Sequence, residues 1–170
     1  IRIQDGINEI NMKTMKSLIY ILSILIGVGF TSCLNGGLED LPVYQDAEIT
    51  AFNFEYRYAT PVGESGEKLQ VVTLSTDTQI DNQNNTVTCT ISVPSSSGTF
   101  TTAEKASVSL NNIVGYASIS TAATIYPIDN APRLGQRSDF SQKTYEYEVV
   151  AADGVTRKVW TLIIKDFINR

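Results

Sequence analysis

Two cysteines carry the thiol chemistry available to this chain. Cys33 ends an apolar leader and follows Phe30, Thr31 and Ser32, the last two of which are small. A thiol at this position is suited to lipidation, in which a diacylglycerol group is attached through a thioether and holds the mature chain on a membrane. Cys89 falls on the apolar face of a predicted strand, where a thiol behaves as a small apolar group. Lipidation of Cys33 leaves Cys89 without a disulfide partner.

The leader contains the three parts of a secretory signal. Lys13 and Lys16 supply the positive start, residues 18–30 are largely apolar, and small residues precede Cys33. The apolar part spans roughly 20 Å as a helix, short of the roughly 30 Å bilayer core, so a cleaved signal is favoured over a permanent transmembrane helix. The whole leader resembles a bacterial lipoprotein signal. An ordinary signal that leaves Cys33 free is the alternative.

The leader also sets the predicted domain organisation. Residues 1–11 precede the first methionine and are interpreted as an upstream or non-native segment. Residues 12–32 are predicted to be the lipoprotein signal peptide, residues 33–46 the lipidated cysteine and a flexible tether, and residues 47–168 the folded domain.

Catalytic chemistry has few residues to use, because the chain contains no histidine. Glu146 and Glu148 could act as the paired carboxylates of a small hydrolase, but exposed neighbours on one strand face are usually solvated. One available thiol and no imidazole make a poor zinc site, and Asp77, Asp81 and Asn82 lack the spacing of a calcium loop. We therefore predict a nonenzymatic protein with no catalytic residue, no metal and no cofactor.

Exposed aromatic rings are the residues best suited to ligand binding, because sugars stack their apolar faces on such rings. Tyr44, Tyr116 and Tyr126 are the candidates. Tyr126 lies beside Pro127 at a predicted strand end, and Tyr116 follows Gly115 in a stretch interpreted as irregular, so Tyr116 and Tyr126 are predicted as tentative ligand-binding residues. The alternative is that each ring fills an end of the domain.

The charge of the mature chain excludes one class of partner. Residues 34–170 contain ten Lys and Arg against sixteen Asp and Glu, a formal charge of −6. No basic stripe is present that could neutralise phosphates, so nucleic acid is excluded as a partner. Membrane contact is predicted to run through the lipid on Cys33.

Hydrophobic residues recur with a period of two from Ala47 onward, which indicates strands. Residues 52–58 place four aromatic rings on one face, and residues 86–93 alternate most regularly. Asp153 and Gly154 mark a hairpin turn between residues 145–151 and 156–165, with Trp160, Leu162 and Ile164 turned inward. Further short strands are predicted at residues 69–74, 107–110, 117–120 and 124–126, with one helical turn at 102–106 capped by Thr102.

Seven or eight short strands without long helices predict an all-β fold. We expect an immunoglobulin-like antiparallel β-sandwich, preceded by a signal peptide helix and a flexible tether. A disulfide of the antibody type is excluded, because Cys89 has no second cysteine in the mature domain.

Several segments resemble the immunoglobulin-like domains of an uncharacterised group of Bacteroidetes surface lipoproteins. They are Ala47-Glu48-Ile49-Thr50-Ala51-Phe52, Thr86-Val87-Thr88-Cys89-Thr90-Ile91-Ser92-Val93-Pro94, Asp139-Phe140-Ser141, Tyr145-Glu146-Tyr147-Glu148-Val149, Ala151-Ala152-Asp153-Gly154 and Lys158-Val159-Trp160-Thr161-Leu162. The resemblance implies an extracytoplasmic β-sandwich, often found with glycan-uptake machinery, and implies no catalytic residue.

The residues after Cys33 bear on the location within the envelope. Leu34 stands where an aspartate would favour retention at the inner membrane, which favours the outer membrane. Glu39 and Asp40 resemble the acidic surface-export signal of such lipoproteins, although a solvated tether explains them equally well. We expect a lipid-anchored outer-membrane protein, exposed at the surface, with a periplasm-facing orientation as the alternative.

These observations leave three functions in order of preference. The first is a noncatalytic binding module for a glycan or an outer-membrane protein partner, accessory to glycan uptake. The second is a structural spacer or assembly subunit of a surface complex. The third is a small carboxylate-dependent hydrolase.

Overall fold

The computed structural model describes residues 43–170. The predicted signal peptide, Cys33 and most of the predicted tether lie outside these residues. Residues 43–48 carry no regular secondary structure and lead directly into the first strand. None of the helices within residues 43–170 combines the length and the apolar character needed to span a membrane.

The described chain consists of eight strands and one short helix, which confirms the all-β prediction. The strands are β1 (Ile49–Val62), β2 (Gly66–Asp81), β3 (Thr86–Ser92), β4 (Ile113–Ile119), β5 (Thr124–Pro127), β6 (Arg137–Ser138), β7 (Thr144–Val150) and β8 (Arg157–Ile168). The helix α1 spans Thr102–Ser107, between β3 and β4.

All eight strands join one hydrogen-bonded sheet in the order β5-β7-β8-β3-β2-β1-β4-β6, and this sheet curls into a half-barrel. Neighbouring strands are antiparallel except β3 and β8, which run parallel. The expectation of a purely antiparallel fold is therefore corrected at this pair. The two separate sheets of an immunoglobulin-like sandwich are not confirmed either.

The single sheet arises because β2 is longer than the sequence pattern predicts. Its first half pairs with β1 as far as Leu74, opposite Phe54, and its second half pairs with β3 from Ser75, opposite Ser92. The second half alternates exposed and half-buried residues, two of them threonines, so it forms a strand without an apolar run. One strand thus connects the two halves of the sheet.

The core lies between the two halves of the curled sheet. The rings of Phe52 on β1 and Tyr147 on β7 lie 6.1 Å apart, and Phe54 meets the ring of Phe140 edge-on at 5.3 Å. The predicted inward positions Trp160, Leu162 and Ile164 are at most 1% exposed, and Cys89 is fully buried as predicted. The alternation read from the sequence therefore selects the correct faces of β1, β3 and β8.

Helix α1 requires two corrections. Its cap is Thr101, whose hydroxyl accepts a hydrogen bond from the backbone of Glu104 at 3.2 Å, and not Thr102 as predicted. The helix continues to Ser107, so the predicted strand at residues 107–110 does not form. Polar side chains explain the difference, because Asn112 donates to the carbonyl of Ser107 and accepts from the backbone of Ser109, closing a turn there.

Tyr145 fixes the entry to β7. Its hydroxyl donates to the carbonyl of Asp139 at 3.2 Å and accepts from the backbone N–H of Gln142 at 2.9 Å. A tyrosine bonded back to the preceding loop in this way is the tyrosine corner found in β-sandwich domains. The loop before β7 is thereby held against the body of the domain.

Candidate functional site

The candidate site lies on the outer face of the sheet at the edge strand β5. Tyr126 is 51% exposed, while its neighbour Ile125 packs against the core. In the antiparallel ladder Tyr126 lies directly opposite Glu148 of β7. Side chains at opposed positions share one face of the sheet, so the ring and the carboxylate stand side by side.

Glu148 also contacts Arg157, the first residue of β8. The guanidinium donates to the carboxylate at 2.9 Å, and both side chains are partly exposed. The β7–β8 hairpin sets this geometry by placing Val150 opposite Arg157. The hairpin turn itself is held by Asp153, whose carboxylate accepts from the backbone N–H groups of Val155 and Thr156, each at 2.8 Å.

A shallow depression of about 550 Å³ lies beside the Tyr126 ring. The turn before β5 and the β7–β8 hairpin close its sides. It is lined by Ala122, Thr124, Tyr126, Glu148, Val150, Ala151, Ala152, Gly154 and Arg157. Tyr126 also lines a second hollow of about 510 Å³, together with Pro127, Arg133 and Leu134 among others. Tyr126 therefore contributes to two hollows that open to solvent.

These residues offer both parts of a binding site for a polar ligand with an apolar face. The Tyr126 ring supplies a stacking surface, and the Glu148–Arg157 pair supplies carboxylate acceptors and guanidinium donors beside it. Glu146, the other carboxylate considered for hydrolysis, is exposed on the same strand. Glu148 differs from Glu146 in accepting a hydrogen bond from Arg157.

Tyr116 is placed differently from the prediction. It lies within strand β4, half-buried and opposite Asn53 of β1, and not in an irregular segment. The preceding Gly115 marks close packing within the strand, because a Cβ at that position would lie 2.8 Å from the ring of Phe140. Tyr116 is not among the residues that line either hollow beside Tyr126, so the two predicted tyrosines do not form a common site.

Tyr44, the third candidate ring, is 52% exposed and lies among the irregular residues before β1. It is likewise not among the residues that line the hollows beside Tyr126. The predicted lipidation site Cys33 lies outside the described residues.

Cys89 is fully buried on β3. Burial raises the pKa of its thiol to about 11, against a smaller lowering by the Thr78 hydroxyl at 3.7 Å. A thiol with this pKa stays protonated at neutral pH and is a poor nucleophile.

Within residues 43–170, no three His, Cys, Asp or Glu side chains are grouped so that they could hold a metal ion.

Arg157 and the position of Glu148 beside Tyr126 were not predicted from the sequence. The signal for Arg157 was local, since the Asp153-Gly154 turn sets the pairing of the residues that flank it. The pairing of β5 with β7 brings Tyr126 to Glu148 across a separation that no local pattern reveals.

Comparisons with known proteins agree with this architecture. Residues 49–163 match the model of a family described as DUF5018-related. The crystal structure of a candidate secreted protein from Bacteroides fragilis NCTC 9343 is similar, with a TM-score of 0.68 and 34% sequence identity. The match covers 76% of this chain and 100% of that chain. No curated protein matches the chain significantly.

Proposed function

This chain belongs to the DUF5018-related family, and we propose that it is a noncatalytic binding module of the bacterial envelope that takes a glycan beside Tyr126. The observation that carries the proposal is the exposed ring of Tyr126, which lines two hollows and lies beside the Glu148–Arg157 pair. An apolar ring beside a few fixed polar groups is the usual composition of a small-ligand site.

The envelope location rests on two observations. The similar Bacteroides fragilis protein is described as a candidate secreted protein. The leader before Cys33 has the order of a lipoprotein signal, so the proposed attachment is through lipid on Cys33 to the outer membrane, with the domain at the cell surface. In this role the protein presents bound glycan to an outer-membrane uptake partner.

A noncatalytic role is supported by the state of the candidate catalytic groups. The chain has no histidine, the Cys89 thiol is buried, and Glu148 is paired with Arg157. A glycosidase needs one carboxyl group that donates a proton and a second that acts as base or nucleophile. In this structure the Glu148 carboxylate is engaged by the Arg157 guanidinium at 2.9 Å.

The proposal is tested by applying labelled protein of residues 43–170 to an array of bacterial, plant and host polysaccharides. This unit is suited to the test because 76% of this chain, about the length of residues 43–170, matches the whole of the similar Bacteroides fragilis chain. Retention of at least one polysaccharide supports the proposal. A blank array combined with capture of a defined outer-membrane protein from envelope extracts would favour the assembly function instead.

A further inference from the structure

The outer edge of β2 over residues 66–74 has no strand beside it in the part of the chain that the structure describes. On one side these residues pair with β1, from Gly66 opposite Val62 to Leu74 opposite Phe54. On the other side, pairing with β3 begins only at Ser75. This half of β2 therefore presents the unpaired backbone N–H and C=O groups of a sheet edge.

The side chains along this edge are apolar where a protected edge would be charged. Leu69 is 61% exposed and Val71 is 51% exposed, on the same face of the strand. Proteins protect free edges with charged residues, proline or bulges, and residues 69–73 contain no charge and no proline. Glu67 and Lys68 stand only near the tip of the hairpin. An edge of this composition is suited to pair with another strand.

We propose that this edge pairs with the same edge of a second copy of the chain, antiparallel and in a two-fold register centred on Gln70. In that register Leu69 of each copy lies directly opposite Val71 of the other copy. The Leu69–Val71 contact therefore occurs twice in the dimer, and each exposed apolar side chain gains an apolar partner. The β1–β2 hairpins of the two copies then lie side by side, and the paired β2 strands join the two sheets.

The charges along the edge are compatible with this register. Glu67 lies opposite Thr73 and Lys68 lies opposite Val72, so no like charges are opposed. A register centred on Leu69 places Leu69 against Leu69 of the other copy but sets Val71 against Glu67, so Val71 loses its apolar partner. A register shifted by one residue sets the outer face of one β2 strand against the inner face of the other. This is unfavourable because the two faces differ in burial.

The proposed contact is small and separate from the candidate glycan site. A single edge pairing buries less than the roughly 1,200 Å² of a standard interface, so the dimer is expected to depend on concentration. Tyr126 lies on β5 at one end of the strand order, several strands from the first half of β2. Failure of dimerisation would therefore leave the binding proposal intact, and a blank glycan array would leave this one intact.

Disulfide cross-linking tests the register directly. The two Gln70 residues face each other across the two-fold axis, at a spacing that a disulfide can bridge. In protein of residues 43–170, Gln70→Cys is expected to form a covalent dimer under oxidising conditions. The matched control is Gln79→Cys, at an exposed position in the second half of β2. There the same edge of the strand is already paired with β3, so this variant is expected to remain monomeric. No dimer from Gln70→Cys, or equal dimer from both, overturns the proposal.

Sedimentation velocity provides a second test without a new cysteine. The average mass of the unmodified protein is expected to rise with concentration up to about 1 mM, the range of weak association. Val71→Lys introduces a charge opposite Leu69 and is expected to abolish this rise while leaving the unfolding transition intact. A protein that stays monomeric throughout, or a Val71→Lys variant that still associates, contradicts pairing through this edge.

Discussion

The indole nitrogen of Trp160 donates a hydrogen bond to the carbonyl oxygen of Ala47 at 2.9 Å, and both residues are fully buried. This bond joins the last strand to the residues that precede the first strand. Beside it, Lys158 of β8 forms an ion pair with Glu48, and the backbone of Glu48 donates to the Ser120 hydroxyl at 2.9 Å. The point at which the chain enters the domain is therefore fixed on β8 and on the β4–β5 turn.

Replacing Trp160 with phenylalanine is expected to lower the free energy of unfolding by about 1–3 kcal/mol, because it leaves the buried Ala47 carbonyl without its donor. Urea unfolding at neutral pH measures the change. The control is Val159→Ala on the same strand, at an exposed position where the loss is expected to be smaller. Equal losses in both variants would show that the hydrogen bond does not fix the entry of the chain.

Asp153 links the stability of the β7–β8 hairpin to pH. Hydrogen bonds from the Thr156 hydroxyl, and then from the backbone N–H groups of Thr156 and Val155, hold the pKa of this carboxyl below its ordinary value of 3.8. A lowered pKa in the folded state gives stability that is present above the ordinary value and is lost as the pH falls through the folded value.

Asp153→Asn is therefore expected to destabilise the domain at neutral pH and to differ progressively less from the unmodified protein as the solution is acidified below the ordinary aspartate pKa. Chemical unfolding measured across this pH range provides the test. Glu64→Gln, in the exposed β1–β2 turn, serves as the control for loss of one negative charge. A constant difference between Asp153→Asn and the unmodified protein at every pH argues against the linkage.

Cys33 tests the proposed attachment to the membrane. In the producing bacterium, Cys33→Ala is expected to abolish labelling by a palmitate analogue and to release the protein from the membrane fraction, because the thiol is the proposed acceptor of the lipid. Cys89→Ala retains Cys33 and is expected to keep both the label and the membrane location. Labelling that survives Cys33→Ala contradicts the lipoprotein interpretation.

Local alternation was sufficient to predict most strands and the core. The buried positions of β3 and β8, including Cys89 and Trp160, follow from a period of two in the sequence. The Asp153-Gly154 turn could also be predicted from the sequence, since Gly154 adopts a φ of 70° that glycine accommodates without strain.

Features that depend on contacts between distant strands could not be predicted from the sequence. The second half of β2 has no apolar run, so its pairing with β3 and the joining of all strands in one sheet could not be inferred from local pattern. The stretch around Gly115 looks irregular in the sequence because the sequence does not show the Phe140 ring that packs over this glycine. The placement of Tyr116 was wrong for this reason.

The candidate site shows the same division. The exposure of Tyr126 at a strand end was consistent with its position beside Pro127. Its carboxylate and guanidinium neighbours come from β7 and β8, and their arrival depends on the register of β5 against β7. A site assembled across three strands is visible only after these strands are paired.

The central claim is that the Tyr126 ring carries glycan binding, and a comparison of two tyrosine variants on the polysaccharide array tests it most directly. Tyr44 is the matched control, because it is 52% exposed against 51% for Tyr126 and is not among the residues lining the hollows beside Tyr126. We predict that Tyr126→Ala weakens retention of the bound polysaccharide at least about tenfold, a loss of about 1.4 kcal/mol, and that Tyr44→Ala leaves it unchanged. Undiminished binding by Tyr126→Ala, or an equal loss in both variants, would contradict the claim.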